Sequence, residues 1–166
     1  MARKPKGEPT GDDSQGESAW QQDSVREVLG FQLARATVSA HRAYFASVGT
    51  PLQLRPVEFT LLCLIEESPG VSARQLARTL AVTPPNMTHW LDRLAARGWV
   101  RRQQNPDDGR TMDLHLTEEG ALTARRALQV VREREAAEFG DLSVGERTML
   151  MELLAKVARS AGITNR

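Results

Sequence analysis

Apolar residues along this chain recur mostly at spacings of three and four, the pattern of helices that bury one face. Between Ser24 and Val48 they fall at Val25, Val28, Leu29, Leu33, Ala36, Ala40, Tyr44 and Val48, which predicts one long helix. Gly49, Thr50 and Pro51 break it. Pro56 suits the first turn of the next helix, VEFTLLCLIEES, which is apolar on most sides and therefore central; Ser68, Pro69 and Gly70 end it. Ser72, followed three residues on by Gln75, is a capping-box pattern that opens a short helix with Leu76 and Leu80 facing inward. Ala81 and Val82 form a turn. Two prolines then stand where a helix begins, because the first turn has no intrahelical use for its N–H groups. With Thr83 as N-cap, Pro84 and Pro85 become the first helical residues, and the Thr83 hydroxyl is expected to accept from the Asn86 N–H. Met87, Trp90, Leu91 and Leu94 mark the buried stripe of this helix, and Gly98 closes it.

The period then changes. WVRRQQ and TMDLHL are strand candidates on either side of the turn-forming NPDDGR, with Met112, Leu114 and Leu116 alternating against Asp113 and His115. Thr117 caps a second long helix, from Glu118 to about Phe139, and the pair Ser143 and Glu146 opens a last one through about Ala161. The order predicts a mainly α protein, a winged helix-turn-helix between helical arms. Residues 1–19 are polar and aperiodic and read as a disordered tail. Residues 20–166 read as a single domain, with a winged lobe at 55–116 and dimerisation helices at 24–48 and 118–161. The stripes Val25, Leu29, Val131, Leu150, Leu153, Leu154 and Val157 have too little domain of their own to cover them, so a two-fold homodimer is expected.

Composition narrows the function. A chain of 166 residues, 40% hydrophobic, can bury one core plus an interface, and its aromatic share of 5% favours helix packing over a sandwich. No apolar run reaches bilayer length and no leader pattern opens the sequence, so a cytoplasmic protein without membrane contact is expected. The single cysteine, Cys63, and three scattered histidines (41, 89 and 115) leave no basis for a disulfide framework, a metal site or a cofactor. Charge is uneven. Residues 72–110 carry seven Arg against three Asp, a net of +4, while the remaining fifteen basic and eighteen acidic residues leave −3. A basic block between acidic flanks is the footprint of a nucleic-acid reader.

In a helix-turn-helix, the second helix reads base edges in the major groove while the first braces it across the backbone. The polar surface of the proline-started helix, with Thr83, Pro85, Asn86, Thr88, His89 and Arg93, is then the candidate reading head, and Ser72 and Arg74 belong to the bracing helix. Asn86 matches the paired acceptor and donor of adenine, and His89 suits guanine. Thr88 and Arg93 more naturally meet phosphate. In the hairpin, Arg110 is placed to enter a narrow minor groove, with Asp108 orienting it or a neighbour such as Arg102. The target would be double-stranded DNA with a pseudo-palindromic operator.

The run LDRLAARGWVRRQQNPDDGRTMDLHLTEEG resembles the hallmark of MarR-family regulators, in which a "DRL" helix is followed by a wing ending "D.R" and by "LT..G". The likeness extends in element order from about residue 24 and is most specific from Asp92 to Gly120. It implies a homodimeric DNA-binding regulator, usually a repressor, relieved by small aromatic or phenolic compounds or by oxidants. By position, Thr88 is similar to the family's groove-contacting Thr, Arg102 to the Arg before the wing, and Asp108 and Arg110 to the wing-tip pair. The chain departs from the pattern at His89, where many members have Arg. Candidate effector contacts are His41 and Tyr44, which share a helix face, with Arg42 and Arg55 as a carboxylate clamp if the fold turns them inward; filling a dimer interface is the alternative role for the first two. Cys63 sits inside LLCLI, a setting more typical of an inert core residue than of an oxidant sensor. A helical protein-binding adaptor is the remaining alternative, and no nucleophile motif or phosphate-cradling loop suggests an enzyme.

Overall fold

The computed structural model describes residues 23–160. The 1–19 tail therefore lies outside the described residues. Two compact units, Met1–Ala36 and Thr37–Arg166, divide the chain. In the first, α1 (Asp23–Arg26) ends at a turn, and α2 (Leu29–Tyr44) starts anew and runs on into the second unit. The single long helix expected for 24–48 is therefore interrupted. At the break the Val28 N–H donates to the Val25 carbonyl, and the Gln32 side chain donates to the Arg26 carbonyl at 2.6 Å. The C-terminal end differs as well, because the chain widens into a π-turn over Phe45–Gly49. There the Thr50 N–H reaches back five residues to the Phe45 carbonyl at 2.9 Å.

The second unit is built on α3 (Pro56–Glu67), whose Leu61, Leu62 and Ile65 are wholly buried. Pro56 stands at its first position, as the sequence indicates. After it come β1 (Val71–Ser72), α4 (Ala73–Thr79), α5 (Pro84–Ala96), β2 (Val100–Gln104), β3 (Met112–Leu116), α6 (Glu118–Glu138) and α7 (Val144–Ser160). Ala81, in the left-handed region at φ 51°, makes the sharp turn from α4 to α5. The strands form an antiparallel sheet in the order β1-β3-β2, with Val71 opposite Leu114 and Val100 opposite Leu116. This arrangement is the winged helix-turn-helix. Leu114 points into the core and Leu116 is half-buried. Met112, at the turn end of the hairpin, is instead 45% exposed.

One core cluster joins α3, α4, α5, the sheet and α6 through Leu54, Leu76, Met87, Leu91, Leu94, Trp99, Ala124 and Ala127. Burying each large aliphatic side chain here contributes about 1.5–3 kcal/mol. Val131, expected at a dimer face, belongs to this core instead, because α6 packs against α3 along that side. Both capping boxes form: the Gln75 N–H donates to Ser72 Oγ at 3.3 Å, and the Glu146 N–H donates to Ser143 Oγ at 3.3 Å. Thr117 Oγ1 accepts from the Gly120 N–H at 3.0 Å and so starts α6. By contrast, none of the described side chains of α7 is buried, and Met149, Met151 and Leu153 are 56%, 67% and 48% exposed.

Candidate nucleic-acid interface

Helix α5 divides along its length as its pattern requires. Met87, Leu91 and Leu94 are buried, Trp90 is half-buried, and Thr83, Pro85, Asn86, Thr88 and His89 are exposed. Pro84 and Pro85 do open the helix and Thr83 is its N-cap, but the Thr83 hydroxyl makes no capping bond. Two prolines leave only the Asn86 N–H for it to meet in the first turn. The helix instead closes through the backbone, with the Met87 N–H donating to the Thr83 carbonyl at 3.1 Å. Between α4 and α5 lies a groove of about 500 Å³, where exposed Arg74 and Thr88 flank buried Ala77 and Met87. Helices α4 and α5 thus present candidate contacts on one surface. Ser72 is occupied elsewhere: its hydroxyl donates to Gln75 Oε1 at 2.7 Å and holds the start of α4.

Several arginines of the basic block are engaged inside the lobe. Arg93, expected at phosphate, donates from Nε to Glu58 Oε1 at 2.6 Å, with side-chain exposures of 41% and 2%. Glu58 Oε2 accepts from the Arg55 N–H at 2.9 Å, so one buried carboxylate ties the start of α3 to α5. Arg102 pairs with Asp92 at 2.6 Å and not with Asp108, which corrects the expected orienting role of that carboxylate toward Arg102. Asp92 wins because it is presented by α5 alongside β2, whereas Asp108 is committed to its own turn. Arg97 donates to the carbonyls of Leu52 at 2.9 Å and Gln53 at 3.2 Å. Arg74, Arg78 and Arg110 remain exposed on the surface.

The wing tip is ordered by its own side chains. Asn105 Oδ1 accepts from the N–H groups of Asp107 and Asp108 at 2.9 and 2.8 Å, while its amide donates to Asp113. Asp108 accepts from the Arg110 N–H at 3.0 Å and from Thr111 Oγ1 at 2.9 Å, and these bonds hold its carboxyl below the ordinary range. Asp108 thus sets Arg110 through the backbone and leaves its guanidinium at the exposed tip.

The effector candidates separate. Tyr44 is 7% exposed, and its hydroxyl donates to the Leu54 carbonyl at 3.0 Å. Burial, and then the Glu58 charge, push its ionisation well above the ordinary tyrosine value. It is a strut of the core, which corrects its reading as a ligand contact with a free hydroxyl; it is the last residue of α2, and its ring packs against those of Phe45 and Phe59. His41, Arg42 and Arg55 are exposed, and the His41 ring stands edge-on to that of Phe45 at 6.0 Å. Phe45, itself 42% exposed, was not among the sequence candidates, and neither was Glu58. The signal for Glu58 was an acid at the third position of a helix, three residues after its N-cap. The Cys63 thiol is pushed up to about 11, first by burial and then by the Glu67 charge, so little thiolate forms near neutral pH. Among the described residues no cluster of potential metal ligands occurs, and no helix is long and apolar enough to cross a membrane.

The model of the MarR family matches residues 54–112. The chain is similar in sequence to the HTH-type transcriptional repressor Rv2887 of Mycobacterium tuberculosis, 33% identical over 129 residues that span 78% of this chain and 92% of that protein. Its fold is similar to that of the transcriptional repressor CouR bound to a 23-mer DNA duplex, with a TM-score of 0.78 and 32% identity over 85% of this chain and 99% of that one. It is also similar to Rv2887 in complex with salicylic acid, with a TM-score of 0.61 and 32% identity over 78% and 95% of the two chains.

Proposed function

The chain belongs to the MarR family, and on that premise we propose that it is a homodimeric repressor that reads a pseudo-palindromic operator and is released from it by a small aromatic carboxylate or phenol. Family membership makes it a DNA-binding transcriptional regulator, a class that is generally not enzymatic. The observation that carries the finer reading is the exposed polar face of α5, with Asn86, Thr88 and His89 set opposite buried Met87, Leu91 and Leu94 and Arg110 on the wing of the same lobe. Asn86 and His89 read base edges in the major groove, and Arg110 meets phosphates and the minor groove. Replacing Asn86 or His89 with Ala is expected to cost about 1–3 kcal/mol on the operator and little on random duplex. Arg110→Ala is expected to weaken both DNAs alike and to lower the salt slope by about one contact. Titration of the three variants on both duplexes at several salt concentrations tests this. Full operator affinity in both Asn86→Ala and His89→Ala would remove α5 as the reading head.

Helix α7, with none of its described side chains buried and with Met149, Leu150, Leu153 and Leu154 exposed, supports the dimer. A two-fold partner that covers it would set the reading helices roughly 34 Å apart, one turn of DNA. Sedimentation is expected to give a dimer at micromolar concentration; a monomer with undiminished operator affinity would contradict it. For the effector, support comes from the salicylic acid complex of Rv2887 and from exposed His41, Arg42, Phe45 and Arg55, which combine aromatic faces with cations. Such a ligand shifts DNA affinity only by its preference between two lobe arrangements.

A further inference from the structure

The loop from Thr50 to Arg55 is bonded on two sides. Toward the π-turn, the Thr50 N–H donates to the Phe45 carbonyl at 2.9 Å, the Leu54 N–H to the Gly49 carbonyl at 3.0 Å, and the Tyr44 hydroxyl to the Leu54 carbonyl at 3.0 Å. On the other side the Arg97 side chain reaches it. Arg97, just past the end of α5, donates from Nη2 to the Leu52 carbonyl and from Nη1 to the Gln53 carbonyl, with its Cζ 3.6 Å above the centre of the Trp99 ring. In extended backbone, consecutive carbonyls point opposite ways. Here both meet one guanidinium, and Gln53 lies at φ 47°, a conformation that side chains other than glycine rarely adopt. Trp99 is fixed in turn, with its indole N–H donating to Glu119 and its carbonyl accepting from the Thr117 N–H.

We propose that Arg97, although part of the basic block, is a positioning residue for DNA binding and not a DNA contact: its planar fork holds the Leu52–Gln53 loop to Trp99 and so sets α5 and the root of the wing in the relation that lets both engage one duplex. The inference rests on the DNA-reading role of α5. A lysine cannot replace the fork, since an ammonium neither grips two carbonyls in a plane nor stacks on an indole as a guanidinium does. Loss of the clamp lets the reading helix and wing settle independently, which penalises specific binding, where both must register, and spares the non-specific attraction of the lobe for phosphate.

The test starts from a duplex that the wild-type full chain selects from a random library, which establishes the DNA reading before any variant is measured. Arg97→Lys and Arg97→Gln are then titrated on that duplex and on a scrambled one across a salt series, and the free proteins are unfolded in urea. Both variants are expected to lose about tenfold on the selected duplex, with the salt slope and the scrambled-duplex affinity unchanged. Three results would overturn the proposal. Equal weakening on both duplexes with a slope lower by about one would make Arg97 a phosphate contact. Full affinity in Arg97→Lys would mean that charge alone suffices. A lowered urea midpoint with unaltered operator affinity would leave Arg97 only a stabilising role.

Discussion

Gly120→Ala is expected to cost the protein about 3 kcal/mol or more of stability, the upper end of what overpacking a core does. A Cβ on Gly120 would lie 2.0 Å from the Trp99 carbonyl oxygen and 2.8 Å from its carbon, both backbone atoms that no rotamer change can move. Neither side can retreat cheaply. The Gly120 N–H is held by the Thr117 hydroxyl, and the Trp99 carbonyl accepts from the Thr117 N–H at 3.0 Å, so separating α6 from the start of β2 breaks the cap as well. The Thr117 hydroxyl, which donates to the Gly98 carbonyl at 2.6 Å, would shift with them. Urea denaturation followed by circular dichroism measures the loss, with Gly145→Ala as control. Gly145 has open space around its α-carbon in α7, and alanine there should be neutral or stabilising by up to about 1 kcal/mol. Equal midpoints for Gly120→Ala and wild type would mean that α6 and the sheet approach less closely than described.

The second large effect belongs to Arg93. Removing one partner of a buried ion pair typically costs about 3–5 kcal/mol, but the Arg93 side chain is 41% exposed and water screens part of that interaction. About 2 kcal/mol is therefore expected for Arg93→Ala, because Glu58 would be left buried with only the Arg55 N–H to satisfy it. Glu58→Gln should cost less, since it removes the buried charge and leaves the arginine partly in solvent. The double variant should fall short of the sum of the two, as residues in one network do. A phosphate role would show differently: Arg93→Ala would then keep its urea midpoint and lose affinity on every duplex.

What was legible in the sequence was local. The cap at Ser72, the caps at Thr117 and Ser143, the proline start of α5 and the turn of the wing are each decided within a few residues, and the structure places them as the patterns indicate. What was not legible depends on distant partners. β1 is two residues long and exists only because Val71 and Ser72 meet Leu114 and Asp113. The inward turn of Tyr44 follows from a carbonyl ten residues away and from the ring of Phe59. Arg93 and Arg97 read as cations of a DNA-facing block because nothing nearby in sequence claims them; their partners lie 35 and 44 to 45 residues earlier. Charge counting located the lobe, but it did not separate arginines that face solvent from those that hold the lobe together.

The two prolines at the head of α5 also bear on what DNA binding has to order. A helix normally begins with a run of backbone donors that water satisfies until a ligand displaces it. Here Pro84 and Pro85 carry none, so Asn86 is the first helical residue with an N–H to offer. The same rings confine the backbone at these two positions in the unfolded chain as well, which lowers the entropy lost when the turn forms. If α5 is the reading head, as proposed, it would arrive at the major groove preorganised, with few waters to strip from its leading edge. On the proposed reading, selectivity then falls on the side chains that follow the prolines, where Asn86 and His89 are exposed and can be replaced without disturbing the turn that carries them.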